Sequence, residues 1–258
     1  MNLSGIVTKI TPSIAKIYCL NEHNLVVGTG SSFLYWQKGL LVTCNHLVEK
    51  SHSLVCKFSD EADKLHPIKV ALRDPEHDLA LLKIETEREP LAHLTAESGK
   101  NIRPGMPVLF SGYPLSLETL TTHQGILSAI TVDAVGVTTY LIDGTVNAGN
   151  SGCPLMNVKG EILGVVNAKR RERSALLSKV EEMSLGAISL HGIDLVEIYQ
   201  ALISNVQLGI GYAVPASYIP EHKEAPNPVA EPRINAKVKT KSKGQPSKRK
   251  TPRRGKKS

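Results

Sequence analysis

Residues 40–46 read Leu40-Leu41-Val42-Thr43-Cys44-Asn45-His46, a short apolar run that ends in polar residues and a histidine. Similar runs, broken by Gly, Pro, Asn and Asp, recur from residue 5 to about residue 168, and helical periods are largely missing there. Many short strands at fairly even spacing are typical of a β-sandwich or a β-barrel. We therefore predict an all-β architecture with two similar β halves that meet near residues 95–110. The other main runs are Leu25-Val26-Val27, Leu54-Val55-Cys56-Lys57-Phe58, residues 79–84, Val108-Leu109-Phe110, residues 138–142 and residues 162–166.

The pattern changes over residues 169–207. Lys169-Arg170-Arg171-Glu172-Arg173 is a solvated charge run, and residues 175–185 have helix-like spacing. Asp194 followed three residues later by Glu197 is typical of a helix N-cap, and apolar residues then recur at three- and four-residue steps. We predict a helical insertion at about 169–207, with its clearest helix at about 194–205. A strand-like pattern returns at residues 209–215.

The C-terminal tail carries the positive charge of the chain. Residues 221–258 hold 13 Lys and Arg against 3 Glu, whereas the other residues hold 18 against 21 acids, so the formal charge of +7 comes from the tail. The tail has too few apolar side chains to offset the entropy of ordering, so we predict a folded domain over 1–219 and a disordered tail over 220–258. Its basic runs at 237–258 suit nonspecific nucleic-acid contact, a nuclear-localisation-like signal or a solubilising extension, and the sequence leaves these open. No aromatic residues interleave, so base stacking is not expected.

Composition narrows the class of protein. The chain starts with neither a basic segment nor an apolar run of signal-peptide length. No stretch reaches the roughly 20 apolar residues that span a bilayer. We therefore expect a soluble, unexported protein with no membrane partner, cytoplasmic or, in a eukaryote, nuclear. Four cysteines show no zinc-like spacing, so we predict no metal and no cofactor. Reduced thiols are expected, and a Cys44–Cys56 disulfide stays open.

Three segments carry residues suited to acyl transfer. A serine hydroxyl is a weak nucleophile that needs an adjacent base, for which His is suited, and a carboxylate must then orient the imidazole. Ser151, His46 and Asp78 supply these groups. Each has a plainer interpretation, since an isolated His is more often structural, and Asp78 could be a turn or strand-edge acid with Asp74 as its nearest rival.

The segment Gly149-Asn150-Ser151-Gly152 suits both a nucleophile and an oxyanion hole. Glycines allow unusual backbone torsions, so the amides of Gly149 and Ser151 can point at one spot. Donors of this kind contribute roughly 3–4 kcal/mol each to lowering the barrier. The alternative is a tight β-turn, in which Asn, Gly and Ser are common.

The ordered set of segments resembles the peptidase domain of HtrA/Deg-type serine proteases. The resemblance implies a chymotrypsin-like double β-barrel over about 215 residues, with His46 as base, Asp78 as orienting acid, Ser151 as nucleophile and the Gly149 and Ser151 amides as the oxyanion hole. The order His, Asp, Ser along the chain is that of chymotrypsin-like folds. The remaining family-like stretches are Pro12 to Ile17, Gly28-Thr29-Gly30-Ser31-Ser32-Phe33, Gly112-Tyr113-Pro114, Gly125-Ile126-Leu127-Ser128-Ala129 and residues 209–215.

The resemblance also implies where the primary specificity pocket lies. Its walls should come from Thr145, from Val165-Val166-Asn167-Ala168 and from Gly209-Ile210-Gly211, none of which carries a charge. We therefore predict a serine endopeptidase that cleaves proteins or peptides after small or aliphatic residues. The rival hypothesis is a catalytically silent, protease-like module that binds peptide or nucleic acid.

Several features depart from the family pattern. Cys153 stands where the family usually has Gly, and its thiol is either a small side chain tolerated beside the site or a second nucleophile or redox switch. No PDZ-like segment follows, so a stand-alone domain is expected, and a trimer is implied by the resemblance alone. The insertion at 169–207 either gates the cleft or covers a barrel edge.

Overall fold

The first half of the described chain closes into a six-stranded antiparallel barrel. The computed structural model describes residues 3–49, 51–61, 64–92, 99–168, 189–198 and 209–220. In the first barrel the strands are ordered β1-β2-β3-β6-β5-β4, and closure leaves no unpaired edge. The strands are β1 (Ile14–Leu20), β2 (Val26–Leu34), β3 (Leu40–Cys44), β4 (Ser53–Phe58), β5 (His66–Asp74) and β6 (Leu79–Lys83).

The second half repeats this architecture. Its strands are ordered β10-β11-β14-β9-β8-β7 in a second closed barrel, so the all-β double barrel predicted from the sequence is confirmed. The strands are β7 (Pro107–Gly112), β8 (Thr121–Val132), β9 (Thr138–Asp143), β10 (Pro154–Asn157), β11 (Ile162–Val166) and β14 (Ile210–Pro215). Strand β6 ends at Lys83 and β7 begins at Pro107.

Strand β1 shows how the first barrel separates its two faces. Side chains alternate along a strand, and Ala15, Ile17 and Cys19 point into the barrel core. Lys16 and Tyr18 therefore lie on the outer face, where β1 pairs with β2 through Lys16 opposite Ser31 and Tyr18 opposite Thr29. We call these four residues, Lys16, Tyr18, Thr29 and Ser31, the polar face of β1–β2.

Apart from the core inside each barrel, an apolar cluster joins the two barrels to each other. Phe33, Val42 and Leu81 of the first barrel pack in one cluster with Met156 and Val165 of the second. Each of these side chains is fully buried, so burial of a large apolar side chain contributes roughly 2 kcal/mol at each of these positions. The site described below lies where the loops of the two barrels meet.

Short helices complete the described structure. The sequence did not predict α1 (Leu3–Ile10), which packs Ile6 and Ile10 against the turn at Gly160, and α2 (Asn45–Glu49) begins one residue before His46. Single 3-10 turns span Thr11–Ser13, Pro114–Ser116 and Ala216–Tyr218. No helix in the described part of the chain is long and apolar enough to cross a membrane.

The described part of the predicted insertion begins with a small hairpin. Strands β12 (Ser189–Leu190) and β13 (Ile193–Asp194) pair, and residues 195–198 are helical. The Asp194 carboxylate accepts a hydrogen bond from the amide of Val196 at 2.9 Å, as predicted for the N-cap. Residues 169–188 and 199–208 of the insertion, and the tail at 221–258, lie outside the described residues.

Candidate active site

Asp78 and His46 form a close pair on the first barrel. His46 is the second residue of α2, which follows β3 directly. Asp78 lies just before β6 and has a left-handed φ of 55°. Asp78 Oδ2 lies 2.6 Å from His46 Nδ1, and Asp78 Oδ1 accepts a hydrogen bond from the His46 amide at 2.8 Å. The Asn45 amide donates to the Asp78 carbonyl at 2.9 Å. Because both carboxylate oxygens are used, the ring of His46 has one fixed orientation.

Asn167 contributes to this pair from the second barrel. Its side-chain amide donates to Asp78 Oδ2 at 2.8 Å, and its backbone amide donates to the Tyr212 carbonyl at 2.8 Å. The sequence placed Asn167 in a pocket wall, but its side chain is directed at the acid of the His–Asp pair. Hydrogen bonds to a carboxylate are among the stronger ones in proteins, so Asn167 ties Asp78 to the second barrel.

Asp74 is engaged elsewhere. Its carboxylate lies 2.7 Å from Nδ1 of His77 and also accepts the His77 amide at 3.1 Å. The His77 ring stacks on Tyr218 with centroids 4.1 Å apart. A second Asp–His pair therefore sits beside the first, and of the two acids that the sequence could not separate, only Asp78 contacts His46.

Ser151 meets the other side of the His46 ring. Its Oγ lies 3.1 Å from His46 Nε2, and the Ala168 amide donates to the same oxygen at 3.2 Å. With Nδ1–H directed at Asp78, neutral His46 has a lone pair on Nε2 that can accept the serine proton. The structure thus brings together all three residues that the sequence singled out, across the junction of the barrels.

The backbone before Ser151 is arranged to bind an anionic oxygen. The Ala148 carbonyl accepts a hydrogen bond from the Leu115 amide at 2.7 Å. Because the peptide unit is planar and trans, the Gly149 N–H points to the opposite side. In the described part of the chain, neither the Gly149 amide nor the Ser151 amide donates to an acceptor. Gly149 has a φ of +96°, and a Cβ there would collide with the Tyr113 carbonyl, so the turn requires glycine.

Ser31 on the polar face of β1–β2 clamps this turn. Its amide donates to the Ser151 carbonyl at 2.8 Å, its hydroxyl donates to the Gly149 carbonyl at 2.7 Å, and that hydroxyl accepts from the Tyr113 amide at 3.0 Å. All of these groups are buried. The sequence placed Ser31 only in a family-like stretch, because its partners lie 82 to 120 residues further along the chain.

The residues expected to form the pocket divide into two groups. Thr145 is exposed near Gly209, where the Gly209 carbonyl accepts the Gly144 amide at 3.3 Å. Ile210 pairs with Asp143 and Gly211 with Ile142, so residues 209–211 and the segment before Ser151 lie side by side. The side chain of Val146, which the sequence did not single out, contacts Gly211.

Val165 and Val166 do not present side chains to this region. Val165 lies in the cluster between the barrels and Val166 in the core of the second barrel, and neither is exposed. Only their backbone could face a ligand. Ala168 reaches the site through its amide, which donates to Ser151 Oγ.

All four cysteines are buried and free, so Cys44 and Cys56 are not joined. Cys153 packs among the core side chains of the second barrel, and burial raises the pKa of its thiol well above the ordinary range. A buried, protonated thiol is a poor nucleophile. This environment supports the interpretation of Cys153 as a small side chain tolerated in the core.

One cluster in the described part of the chain could hold a metal ion. Cys44, His46 and Asp78 have ligand atoms within 4.8 Å of one another. The Cys44 thiol donates to the Val166 carbonyl at 3.3 Å, and the other two groups bind each other. The candidate ligand atoms of all three residues are therefore already engaged in hydrogen bonds.

Comparisons with known proteins find trypsin-like peptidases and serine proteases. Residues 28–165 match the model of the trypsin-like peptidase domain. The chain is 31% identical over 180 residues to serine protease HTRA1B of Danio rerio, covering 65% of this chain and 37% of the relative. It is 29% identical over 178 residues to mitochondrial serine protease HTRA2 of Bos taurus, with coverages of 65% and 38%. The chain thus spans little more than a third of these relatives.

A solved structure shows the same fold. The active form of the Rv3671c protease from M. tuberculosis superposes with a TM-score of 0.61 at 21% identity, covering 87% of this chain and 86% of that one. At this identity the likeness concerns the architecture of the two barrels.

Proposed function

The chain belongs to the trypsin-like peptidase family, in its HtrA-like branch, and from this premise we propose that it is a serine endopeptidase. Ser151 is the nucleophile, His46 the general base and acid, and Asp78 the group that orients His46. The substrate is a protein or peptide. The observation that carries the proposal is the single imidazole that contacts Asp78 Oδ2 at 2.6 Å and Ser151 Oγ at 3.1 Å.

Acylation follows from these contacts. His46 Nε2 accepts the hydroxyl proton as Ser151 Oγ attacks the carbonyl carbon of the scissile bond. Asp78 stabilises the imidazolium without taking the proton itself. His46 then donates the proton to the leaving amine, and the C–N bond breaks to leave an acyl group on Ser151. Water, deprotonated by His46, attacks that ester, and His46 returns the proton to Ser151 Oγ as the second product leaves.

The Gly149 and Ser151 amides supply the electrostatic part of the mechanism. The carbonyl oxygen of the substrate becomes negative as Oγ attacks, and amides fixed in advance need no reorganisation to stabilise it. The Ala148 carbonyl bound to Leu115 supports the orientation of the Gly149 amide. The Ala168 amide donates to Ser151 Oγ at 3.2 Å and so helps to hold the hydroxyl beside His46.

The residues around Thr145 and Gly211 favour a small or aliphatic side chain before the scissile bond. Thr145, Val146 and residues 209–211 offer no charge to pair with Arg, Lys or Glu. Asp143 pairs with Ile210 and Ile126, which are both exposed, so its side chain belongs to the outer face of the barrel. Cleavage of a peptide library, sequenced by mass spectrometry, should show Ala, Val, Ile or Leu before the cut. A profile dominated by charged residues would refute this preference.

The activity itself is tested with casein digestion and a fluorophosphonate probe that reacts with activated serines. We expect digestion and a covalent adduct on Ser151 in the wild type, and neither in Ser151→Ala. Ser111→Ala, a change at a buried serine of β7, is the control and should still be labelled. A folded wild type that neither digests nor reacts would instead favour a silent peptide-binding module of the same fold.

A further inference from the structure

We infer that Lys16 is a positioning residue for the oxyanion hole, which it holds in place through the loop at residues 113–118. This inference rests on the proposed function, because it assigns a role in that reaction to a residue far from the reacting atoms. We call residues 113–118 the bridging loop, since they leave the second barrel after β7 and contact the polar face of β1–β2 on the first.

Lys16 is a buried cation whose side-chain hydrogen bonds and ion pair, in the described part of the chain, are made with this loop, while its ammonium also lies over the Tyr18 ring, 4.8 Å from the centroid. Its side chain is 2% exposed, and Nζ donates to the Ser116 carbonyl at 2.9 Å and to Glu118 Oε1 at 2.6 Å. The Tyr18 hydroxyl donates to the second Glu118 oxygen at 2.7 Å. A buried ammonium is costly unless it is paired and hydrogen-bonded. Lys16 thus gains its hydrogen bonds and its counter-ion while the bridging loop is seated against the first barrel.

The bridging loop has a backbone that needs such support. Leu115 and Ser116 have left-handed φ values of 53° and 61°, a region that residues other than glycine rarely adopt. Conformations of this kind persist only where the surroundings hold them. Ser116 is held at its carbonyl by Lys16 and at its hydroxyl by Thr29 Oγ1, 3.0 Å away. Two members of the polar face therefore fix the residue that follows Leu115.

Leu115 transmits this geometry to the reaction site. Its amide is the donor to the Ala148 carbonyl, the contact that orients the Gly149 amide toward the substrate oxygen. Gly149 itself offers little resistance to rotation of that peptide, because glycine is permissive in φ. The peptide is therefore held from outside, by a chain of contacts that runs from Lys16 through Ser116 and Leu115 to Ala148.

Lys16→Met tests the inference with little damage to the core. Met has a similar length and removes the charge and the donors, and the side chain of Glu118, 60% exposed, is left in contact with water. Glu118→Gln is less suitable, since it leaves the buried ammonium of Lys16 without its counter-ion.

Lys57→Met is the matched control. Lys57 lies on β4, directly opposite Lys16 of β1 in the strand register. Its Nζ is 3.7 Å from the same Glu118 carboxylate. Unlike Lys16, it has no hydrogen bond to the backbone of the bridging loop in the described structure. Both variants remove a positive charge near Glu118. They differ in the contact with Ser116, in the exposure of the side chain (2% for Lys16 and 23% for Lys57) and in the distance to the Glu118 carboxylate.

Kinetics should separate positioning from general stability. For Lys16→Met we expect kcat on a peptide amide to fall about tenfold to hundredfold with KM within about twofold, as for a small displacement of a catalytic group. Phosphonylation of Ser151 should slow in parallel. Lys57→Met should keep kcat within about twofold, and the melting temperatures of the two variants should be similar. Equal losses of kcat in both variants, or a loss that only follows the melting temperature, would contradict the inference.

Amide exchange of Leu115, followed by NMR, tests the same chain of contacts without any catalysis. Exchange should be about tenfold faster in Lys16→Met than in the wild type and unchanged in Lys57→Met, because the Leu115–Ala148 hydrogen bond opens more often. Unchanged exchange in Lys16→Met would overturn the inference even in an active enzyme. If the wild type proved inactive, the proposed function would fail while this measurement still decided the role of Lys16. Thr29→Val, which removes only the hydroxyl contact to Ser116, should change exchange in the same direction by a smaller factor and serves if Lys16→Met does not fold.

Discussion

The two barrels contribute different kinds of groups to one site. The first barrel supplies side chains, the imidazole of His46 and the carboxylate of Asp78, each fixed where a strand meets a turn. The second supplies the Ser151 hydroxyl and, above all, backbone amides in a turn whose torsions require glycine. Most contacts that position His46 and Asp78 lie within their own barrel, whereas the amides of the turn are positioned by Ser31 and Lys16 of the other.

This difference explains why the site cannot be divided between the halves. Ser31 binds both the Gly149 and the Ser151 carbonyls, and Asn167 binds Asp78 in the reverse direction. Each barrel therefore fixes a reactive group of its neighbour. Substitutions on either side of the junction should damage the same reaction, to an extent set by the group that each one displaces.

Among the substitutions of residues that position the reacting groups, the largest loss of kcat is expected for the orienting acid of the first barrel. Asp78→Asn should lower kcat about 10⁴-fold, because an amide can donate to Nδ1 and favour the wrong tautomer of His46. Asp74→Asn is the matched control, since it makes the same change in the neighbouring Asp–His pair, and should change kcat less than about threefold. Steady-state kinetics on one peptide decide, and similar losses in the two variants would show that the assignment of Asp78 is wrong.

The second barrel should be most sensitive at the backbone of its turn. Gly149→Ala places a methyl group against the Tyr113 carbonyl and should lower kcat about 10²- to 10³-fold by displacing an oxyanion donor. Gly136→Ala adds the same methyl group at a similar φ, 91° against 96°, where nothing lies within 4 Å. Only backbone strain of roughly 1 kcal/mol is expected there, with kcat unchanged. Equal kcat in the two variants would remove the oxyanion role of Gly149.

A smaller effect is expected where the second barrel supports the first. Asn167→Ala removes one of the hydrogen bonds to Asp78 and leaves the two from His46, so kcat should fall about tenfold. Asn157→Ala, which removes a buried amide that binds Glu161 in the same barrel, controls for the loss of stability. If Asn167→Ala lowers only the melting temperature, as its control does, the cross-barrel support of Asp78 is refuted.

The smallest effect is expected for Cys153, whose thiol is nearest the nucleophile in the sequence. Cys153→Ala should leave kcat within about twofold and cost roughly 1 kcal/mol of stability, since it shortens one side chain in a packed core. The raised pKa predicts that native Cys153 resists iodoacetamide near neutral pH and reacts only after unfolding. Rapid alkylation of the native protein at Cys153, with loss of activity, would restore the redox hypothesis.

The sequence predicted the side chains of the site better than the contacts that position its backbone amides. The double barrel follows from short runs of Val, Ile and Leu, and His46, Asp78 and Ser151 from residue type and order. The resemblance assigned the acid to Asp78, and the fold shows how it differs from Asp74, since the Asp78 carboxylate contacts His46 and the Asp74 carboxylate contacts His77. Helix α1 was missed although Leu3, Ile6, Val7 and Ile10 recur at helical spacing, because eight residues are a short window for such a pattern.

Positioning residues were the hardest to predict. Lys16 and Glu118 lie 102 residues apart, and a lysine in a strand ordinarily indicates a solvated face. Ser31 acts through contacts with Gly149 and Tyr113 that no local pattern encodes. Val165 and Val166 were placed in the pocket walls by resemblance, whereas their side chains complete two apolar clusters. Such contacts depend on how the two barrels pack together.

A double-mutant cycle between the barrels tests most directly that they act as one catalytic unit. The kcat of His46→Ala, Ser151→Ala and the double variant should be measured on one peptide amide, with thermal unfolding as a check on the fold. Each single change should cost about 10⁶-fold, and the double change should cost no more than either alone, because the base and the nucleophile serve the same proton transfer. Losses that multiply in the double variant would contradict the account, since they would mean that His46 and Ser151 act in separate steps.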